Sequence, residues 1–262
     1  MVNVQVASRD QQLAMIRFST AQRINSAADD AAGLAISEKM QTQIKGENIA
    51  SRNMRDSQSL LQTADGALNS THSVLQRMRE LSIQANNGLL TDADRSIIQQ
   101  EFSQLRDTID SIGRHTQFNT KPILDGSFQN MKTTTNANGE TLSTSISSAL
   151  ASQLGDANSG LSLNDINLKE NPQAALNIID GAIEQISKSR SSIGATTNRL
   201  DHSVANSENK HLNMQAAESR IRDADVAKTT IELNRANLFQ QTYFATQKMQ
   251  QMMAGQILNI LF

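Results

Sequence analysis

Residues 172–214 read PQAALNIIDGAIEQISKSRSSIGATTNRLDHSVANSENKHLNM, and Leu176, Ile179, Ile183, Ile186, Ile193, Leu200, Val204 and Met214 in them share one register of three- and four-residue steps. Arg190, Thr197, Ser207 and His211 fill the polar positions of that register. An apolar row with this spacing, sustained over five heptads, predicts a long helix in a coiled coil. Pro172 suits its first turn, where a missing N–H costs nothing. Polar residues in such a seam cost stability and can fix its register.

A helix of this kind needs partners, and the first third of the chain supplies them. From Leu61 the positions Leu61, Ala64, Leu68, Thr71, Leu75 and Met78 repeat the same spacing, and Leu60, Ala67, Val74 and Leu81 form a second row beside them. A stripe that wide packs against more than one neighbour. Asn86-Asn87-Gly88 breaks the pattern, as such residues do. Thr91 then stands at an N-cap position with Asp94 three residues on, the arrangement of a capping box. Ile98, Phe102, Leu105, Ile109 and Ile112 carry the next helix. The short connection predicts that it turns back antiparallel to the one before.

Between about 116 and 165 the helical period disappears. Pro122, Asp125-Gly126 and Asn138-Gly139 are turn signals, and Asn138-Gly139 lies between Lys132–Thr135 and Thr141–Thr144. That predicts a hairpin, polar enough to be an exposed ribbon. Residues 147–160 read as loop or short helix. After Asp223 the pattern is helical to the end, with Phe239, Phe244, Met249, Met252, Met253, Ile257, Leu258, Ile260, Leu261 and Phe262 making the close strongly apolar. The start is apolar too, at Val2, Val4, Val6, Leu13, Met15, Ile16 and Phe18. Two such ends predict mutual packing and cover by other subunits, since a monomer would leave the surface in water. Repeated head-to-tail contacts whose rotation does not close give a filament.

Composition points the same way. The chain has 262 residues with no Trp, one Tyr and seven Phe, too few aromatic rings for an ordinary globular core. Leu, Ile, Met and Ala fill the narrow seams between helices instead, and only Pro122 and Pro172 interrupt the backbone. Lys and Arg number 24 against 26 Asp and Glu, interspersed and without a basic stripe for nucleic acid. No cysteine occurs, which excludes disulfides and thiolate chemistry. No apolar run is long enough to insert in a membrane, and the first ten residues do not form a cleavable signal. The fold class predicted is mainly α, an elongated antiparallel helical bundle or coiled coil with a small β-hairpin region.

Catalytic and metal-binding chemistry finds little support. His202 and His211 are nine residues apart, off the spacing that aims two imidazoles at one metal. No His-Glu-x-x-His motif and no Gly-rich phosphate loop occur. Asp29-Asp30 could form a carboxylate pair but reads better as structural. No cofactor, no metal and no enzyme activity are expected.

The segment Arg23-Ile24-Asn25-Ser26-Ala27-Ala28-Asp29-Asp30-Ala31-Ala32-Gly33-Leu34-Ala35-Ile36 strongly resembles the N-terminal signature of bacterial flagellins. The likeness continues through Ser37–Met40, Leu75–Ala85 and Gln117–Asn119. It returns at Gly194-Ala195, Asn198–Leu200 and Ala217–Asp225. The resemblance covers about 23 to 262. It implies a subunit that polymerises into the flagellar filament, with the middle too short for much outer decoration. It also implies a division into a shortened N-terminal inner-core segment 1–25, rod helices 26–115, a hairpin and loop region 116–165, a C-terminal rod helix 166–225 and a C-terminal inner-core helix 226–262. In this reading the inner core is assembled by Phe239, Phe244, Met249, Met253, Ile257, Leu258, Leu261 and Phe262. Before Arg23 the chain has 22 residues, roughly five helical turns fewer than typical members, and Phe18–Gln22 replaces their Leu-Ser-Ser-Gly tract. The C-terminal helix is therefore expected to lack its partner along much of its length.

Further partners follow from the resemblance: a flagellar export chaperone and the export apparatus, hook-associated proteins, and Toll-like receptor 5 of vertebrate hosts when the subunit is unassembled. The matching receptor residues are Arg77, Leu81 and Glu101. The localisation implied is extracellular, in the bacterial flagellum, reached without a cleavable signal peptide. The alternative is a hook–filament junction protein, or a minor or defective paralogue that does not polymerise alone.

Overall fold

The computed structural model describes residues 2–156 and 160–261, and side chains within 8–156 and 160–253. The fold is mainly α. Its helices are α1 (Val2–Thr20), α2 (Ala31–Ala85), α3 (Asp92–His115), α4 (Pro172–Arg222) and α5 (Val226–Leu261). Three antiparallel strand pairs lie between α3 and α4: β1 (Gln117–Phe118) with β2 (Lys121–Pro122), β3 (Met131–Thr134) with β4 (Thr141–Thr144), and β5 (Gly155–Asp156) with β6 (Leu161–Ser162). The chain divides into two compact units, Gly46–Asn209 and the paired ends Met1–Lys45 with Lys210–Phe262.

In the unit Gly46–Asn209, α2 and α4 run antiparallel. Asn86 pairs with Gln173, Arg79 with Asp180, Asp65 with Arg190, Gln58 with Asp201 and Arg55 with Glu208, one number falling as the other rises. These pairs are exposed or half-exposed, and such pairs contribute at most about 1 kcal/mol each. The apolar seam beneath them does more, since a fully buried Leu or Ile stabilises by about 1.5–3 kcal/mol. On α2, Leu61, Ala64, Leu68, Thr71, Leu75 and Met78 are all buried, and the stripe extends to Ala50 and Met54 on one side and to Leu81 and Ala85 on the other. The buried Thr71 and Ser82 hydroxyls donate to the carbonyls of Ala67 and Met78, so neither is left without a partner.

The Thr91–Asp94 capping box opens α3: the Asp94 N–H donates to the Thr91 hydroxyl, and the Thr91 N–H donates to the Asp94 carboxylate. Ile98, Phe102 and Ile109 are buried, and Leu105 is half-buried against the same core. On α4 the buried line runs Ala175, Ile178, Ile179, Ala182, Ile186, Ile193, Leu200 and Ser207. Ile183 and Val204 pack on its edge, and Leu176 is also only half-buried. The burial centre is thus rotated towards Ala175, Ile178 and Ala182. Residues from the strand region, Leu163, Ile166 and Leu168 among them, share this core.

The strand region is fastened to all three helices by side-chain acceptors. Gln99 on α3 accepts the Leu168 N–H at 2.8 Å, and Asp110 accepts that of Ala151 at 2.8 Å. Gln185 on α4 accepts the Gly155 N–H at 3.3 Å. Ser57 on α2 bonds Thr133 of the β3–β4 hairpin at 2.7 Å. The ladder ends at Thr134–Thr141, Thr135 N–H donates to the Glu140 carbonyl at 2.8 Å, and Asn136 orders the turn by accepting from Asn138 and Glu140. Within residues 147–160, the described part is turn followed by β5, not helix. Ile123, Leu124, Ile146 and Ala149 from this region are fully buried, whereas the β3–β4 ribbon is exposed or half-buried along its length.

In the other unit α1 packs closely against α5. Among the described side chains of this pair, the buried ones are small or polar, Ala14, Ala236 and Thr229; Leu13, Leu233 and Tyr243 are half-buried, and Gln11 donates to Asn237 at 2.7 Å. α1 has 19 residues and α5 has 36.

Candidate functional site: the paired chain ends

The joint that holds the ends together is built by residues 21–33 and 221–225. The Arg23 N–H donates to the Arg222 carbonyl at 2.6 Å, and its guanidinium to the Ile221 carbonyl at 2.6 Å. The Ala224 N–H returns to the Ala21 carbonyl at 2.9 Å. Gln22 and Asp223 form an isolated antiparallel bridge, and Ile24 between these bonds is fully buried.

Asp29 and Asp30 divide the work of shaping this turn. The Asp29 carboxylate accepts the N–H groups of Asn25 and Ser26 and the Ser26 hydroxyl. Those bonds, led by the Ser26 N–H, hold it below the ordinary carboxylate range. Asp30 caps α2 by accepting the Gly33 N–H at 2.8 Å. Gly33 must lack a side chain here: a Cβ would lie 2.4 Å from the Asp30 carboxylate oxygen and 2.8 Å from Ile24 Cδ1. The two acids are turn-forming acceptors. Sequence reading placed them as structural but had no signal for the bonds across to 221–224, because main-chain partners leave no residue-type signature.

Beyond the joint, the helix pair is arranged with its large apolar side chains outward. On α5, Ile231, Leu238, Phe239, Phe244, Met249, Met252 and Met253 are exposed, Ile231 to 68% and Phe239 to 56%. On α1, Met15, Ile16 and Phe18 are exposed. The Arg235 guanidinium lies 5.6 Å from the Phe239 ring centre, and Tyr243 meets Phe244 edge-on at 6.3 Å. Of the proposed inner-core residues, Phe239, Phe244, Met249 and Met253 are exposed, the last three within 244–253, where every residue is exposed. The side chains of Ile257, Leu258 and Leu261, and Phe262 altogether, lie outside the described residues.

The three candidate receptor residues do not share one surface. Arg77 on α2 is exposed and donates to Glu101 on α3 at 2.8 and 3.1 Å and to Glu80 at 3.0 Å. The hydrogen bond to Glu101 is the main reason its pKa is raised. Leu81 is 1% exposed and belongs to the core. Leu81 lies four residues on from Arg77, at the core-facing edge of the same side of α2.

Among the described residues no group of three or more His, Cys, Asp or Glu side chains is placed to hold a metal ion, and no helix is long and apolar enough to cross a membrane. The geometry defines a class: helical proteins whose two ends pair through small side chains and display large apolar ones. The chain belongs to the bacterial flagellin family. The model of the bacterial flagellin N-terminal helical region matches residues 1–129, and that of the C-terminal helical region matches residues 176–261.

Individual relatives agree. Flagellin of Halalkalibacterium halodurans is 44% identical over 88% of this chain and 84% of its own length. A flagellar filament core protein of Brachyspira hyodysenteriae is 38% identical over 88% of this chain and 85% of its own. The crystal structure of Bacillus cereus flagellin matches with a TM-score of 0.50 and 32% identity, over 60% of this chain and 88% of that one.

Proposed function

We propose that this chain is a structural subunit of the flagellar filament and that neighbouring copies cover the outward face of its α1–α5 pair. The observation that carries this reading is the run of large exposed apolar side chains from Ile231 to Met253 on a helix that buries mainly small and polar residues against its partner. Each such side chain gains about 1.5–3 kcal/mol when covered. Several together match the roughly 4–15 kcal/mol that association costs. A single repeated contact whose rotation does not close builds a filament.

In this reading 1–25 and 226–262 form the inner core, 26–115 and 166–225 the rod, and 116–165 its hairpin region. The work is done by surfaces and needs no enzymatic step. As a filament component the chain acts outside the cell. Before assembly an export chaperone covers the α5 face and the export apparatus carries the chain. Hook-associated proteins bound the finished filament. An unassembled subunit offers the Arg77–Glu101 pair to Toll-like receptor 5, with Leu81 supporting the helix from beneath. Arg77→Ala should lower the response of receptor-bearing reporter cells at unchanged circular dichroism, and an unchanged response would remove that partner.

Electron microscopy of the purified chain under polymerising conditions, alone and on seeds of a full-length flagellin, tests the main reading. Filaments from the chain alone are expected. Growth on seeds only would make it a minor subunit, and no growth at all would favour the junction protein.

A further inference from the structure

The ten methionines of the chain are distributed unevenly. Met54 and Met78 are completely buried in α2, whereas Met15 on α1 and Met131 on β3 are exposed singly and Met249, Met252 and Met253 are exposed as a cluster on α5, to 55, 55 and 63%. Steps of three and four residues place these three side by side on the helix. The chain has no cysteine, so no thiol competes for an oxidant, and an exposed thioether is the side chain most open to two-electron oxidation.

We propose that Met249, Met252 and Met253 are a modification site at which a peroxide blocks assembly of the free subunit. The inference rests on the reading that neighbouring subunits cover the α5 face. A thioether sulfur lone pair attacks one peroxide oxygen, the O–O bond breaks as the S–O bond forms, and the departing hydroxide takes up a proton to leave as water. Sulfur is oxidised by two electrons and hydrogen peroxide is reduced by two. The product is a sulfoxide, polar and strongly hydrogen-bond accepting, where a flexible apolar group stood. Burying that oxygen in an apolar contact without a donor costs enough to weaken assembly on the order of tenfold per sulfoxide. Once subunits are joined, the same contacts exclude the oxidant. The site is therefore open before assembly and closed after it, and thioether repair by methionine sulfoxide reductases reopens the route to the filament.

The test treats the full-length chain with hydrogen peroxide either as monomer or after polymerisation. Sulfoxides are mapped by peptide mass spectrometry, and the critical concentration for assembly is measured by sedimentation. In the monomer, Met249, Met252 and Met253 should oxidise well before Met54 and Met78, and the critical concentration should rise roughly tenfold or more. Reductases of both epimer specificities should restore it. In the filament the three residues should be protected. In the variant M249L/M252L/M253L the ratio of treated to untreated critical concentration should fall towards one, whatever its untreated value. The exposed Met15 on α1 accounts for any remainder, which M15L added to the variant should remove. Oxidised monomer that assembles at an unchanged concentration, or a triple-Leu variant that remains as sensitive as the parent, overturns the proposal. An untreated chain that forms no filaments, alone or on seeds, overturns the subunit reading and this proposal together. Untreated filaments with no peroxide effect overturn this proposal alone.

Discussion

A single missing methyl group matters most at Gly33. In a helix, alanine is favoured over glycine by about 1 kcal/mol, so propensity alone would make Gly33→Ala stabilising. The added Cβ would meet the Asp30 carboxylate at 2.4 Å and the buried Ile24 side chain at 2.8 Å. Ile24 is fully buried, and moving the Asp30 carboxylate disturbs its cap on α2. Overpacking of this kind costs about 1–3 kcal/mol, so Gly33→Ala should destabilise the paired ends. The expected signs are a lower melting temperature and faster proteolysis within residues 21–30; unchanged values would show that the turn has slack. The carboxylates of the turns set a pH dependence. Hydrogen bonds from Ser26, Thr91, Ser127 and Ser162 depress Asp29, Asp94, Asp125 and Asp165 below their ordinary range. A folded pKa below the unfolded value of about 3.9 gives stabilisation that is complete above that value and lost as pH falls through the folded one. Helicity should hold at neutral pH and decline below about pH 4, and Asp29→Ala should flatten that acid dependence. A circular dichroism titration measures both.

Among the helices, α4 separates a legible pattern from the position of its centre. Ile186 is 1% exposed, while Ile183 in the same apolar register is half-buried at the edge. A carboxylate at 186 would be buried without a partner, at a cost of several kcal/mol. At 183 it can reach water, so the cost is roughly half or less. Ile186→Asp should abolish the cooperative melt of the unit Gly46–Asn209, and Ile183→Asp should only lower its midpoint. Equal losses would place the centre of the seam back at 183. The seam on α2, the capping box of α3 and the start of α4 at Pro172 were all readable, because period, cap chemistry and proline are local signals. The rotation of α4 was not. Leu163, Ile166 and Leu168, loop residues with no period, join the same core from outside the helix's own pattern. The stripe also runs back to Glu47, buried and accepting from the Ser207 hydroxyl at 2.8 Å. A charged residue hides a seam position from any reading based on apolar spacing. The short ladders β1–β2 and β5–β6 carry two residues per strand, too few to alternate. For the receptor patch, residue type alone aligned Leu81 with Arg77, and only burial separates them.

For the molecule as a whole, the decisive feature is that folding leaves undone what assembly completes. A helix pair held by Ala14, Ala236, Thr229 and the Gln11–Asn237 bond gains little from its own contact. Small side chains let the backbones approach but bury little apolar area. Leu13, Leu233 and Tyr243 are half-buried, but most of the large described residues stay in water: Leu238 is 62% exposed and Phe239 56%. Such an arrangement is unfavourable for an isolated subunit and favourable only where another surface covers it. Substitution on this face should therefore uncouple folding from assembly. In the variant L238S/F239S the inner contacts at Ala236 and Asn237 remain, so helicity and melting of the subunit should change little, within about 0.5 kcal/mol per site for an exposed position. The critical concentration for polymerisation should rise by about 1.5 kcal/mol or more for each side chain no longer covered, which is at least tenfold. Sedimentation across a concentration series, with circular dichroism on the same samples, reads both quantities. If assembly is unchanged while the face is polar, other surfaces of the chain join the subunits; if melting falls as far as assembly, the outward residues were holding the subunit itself.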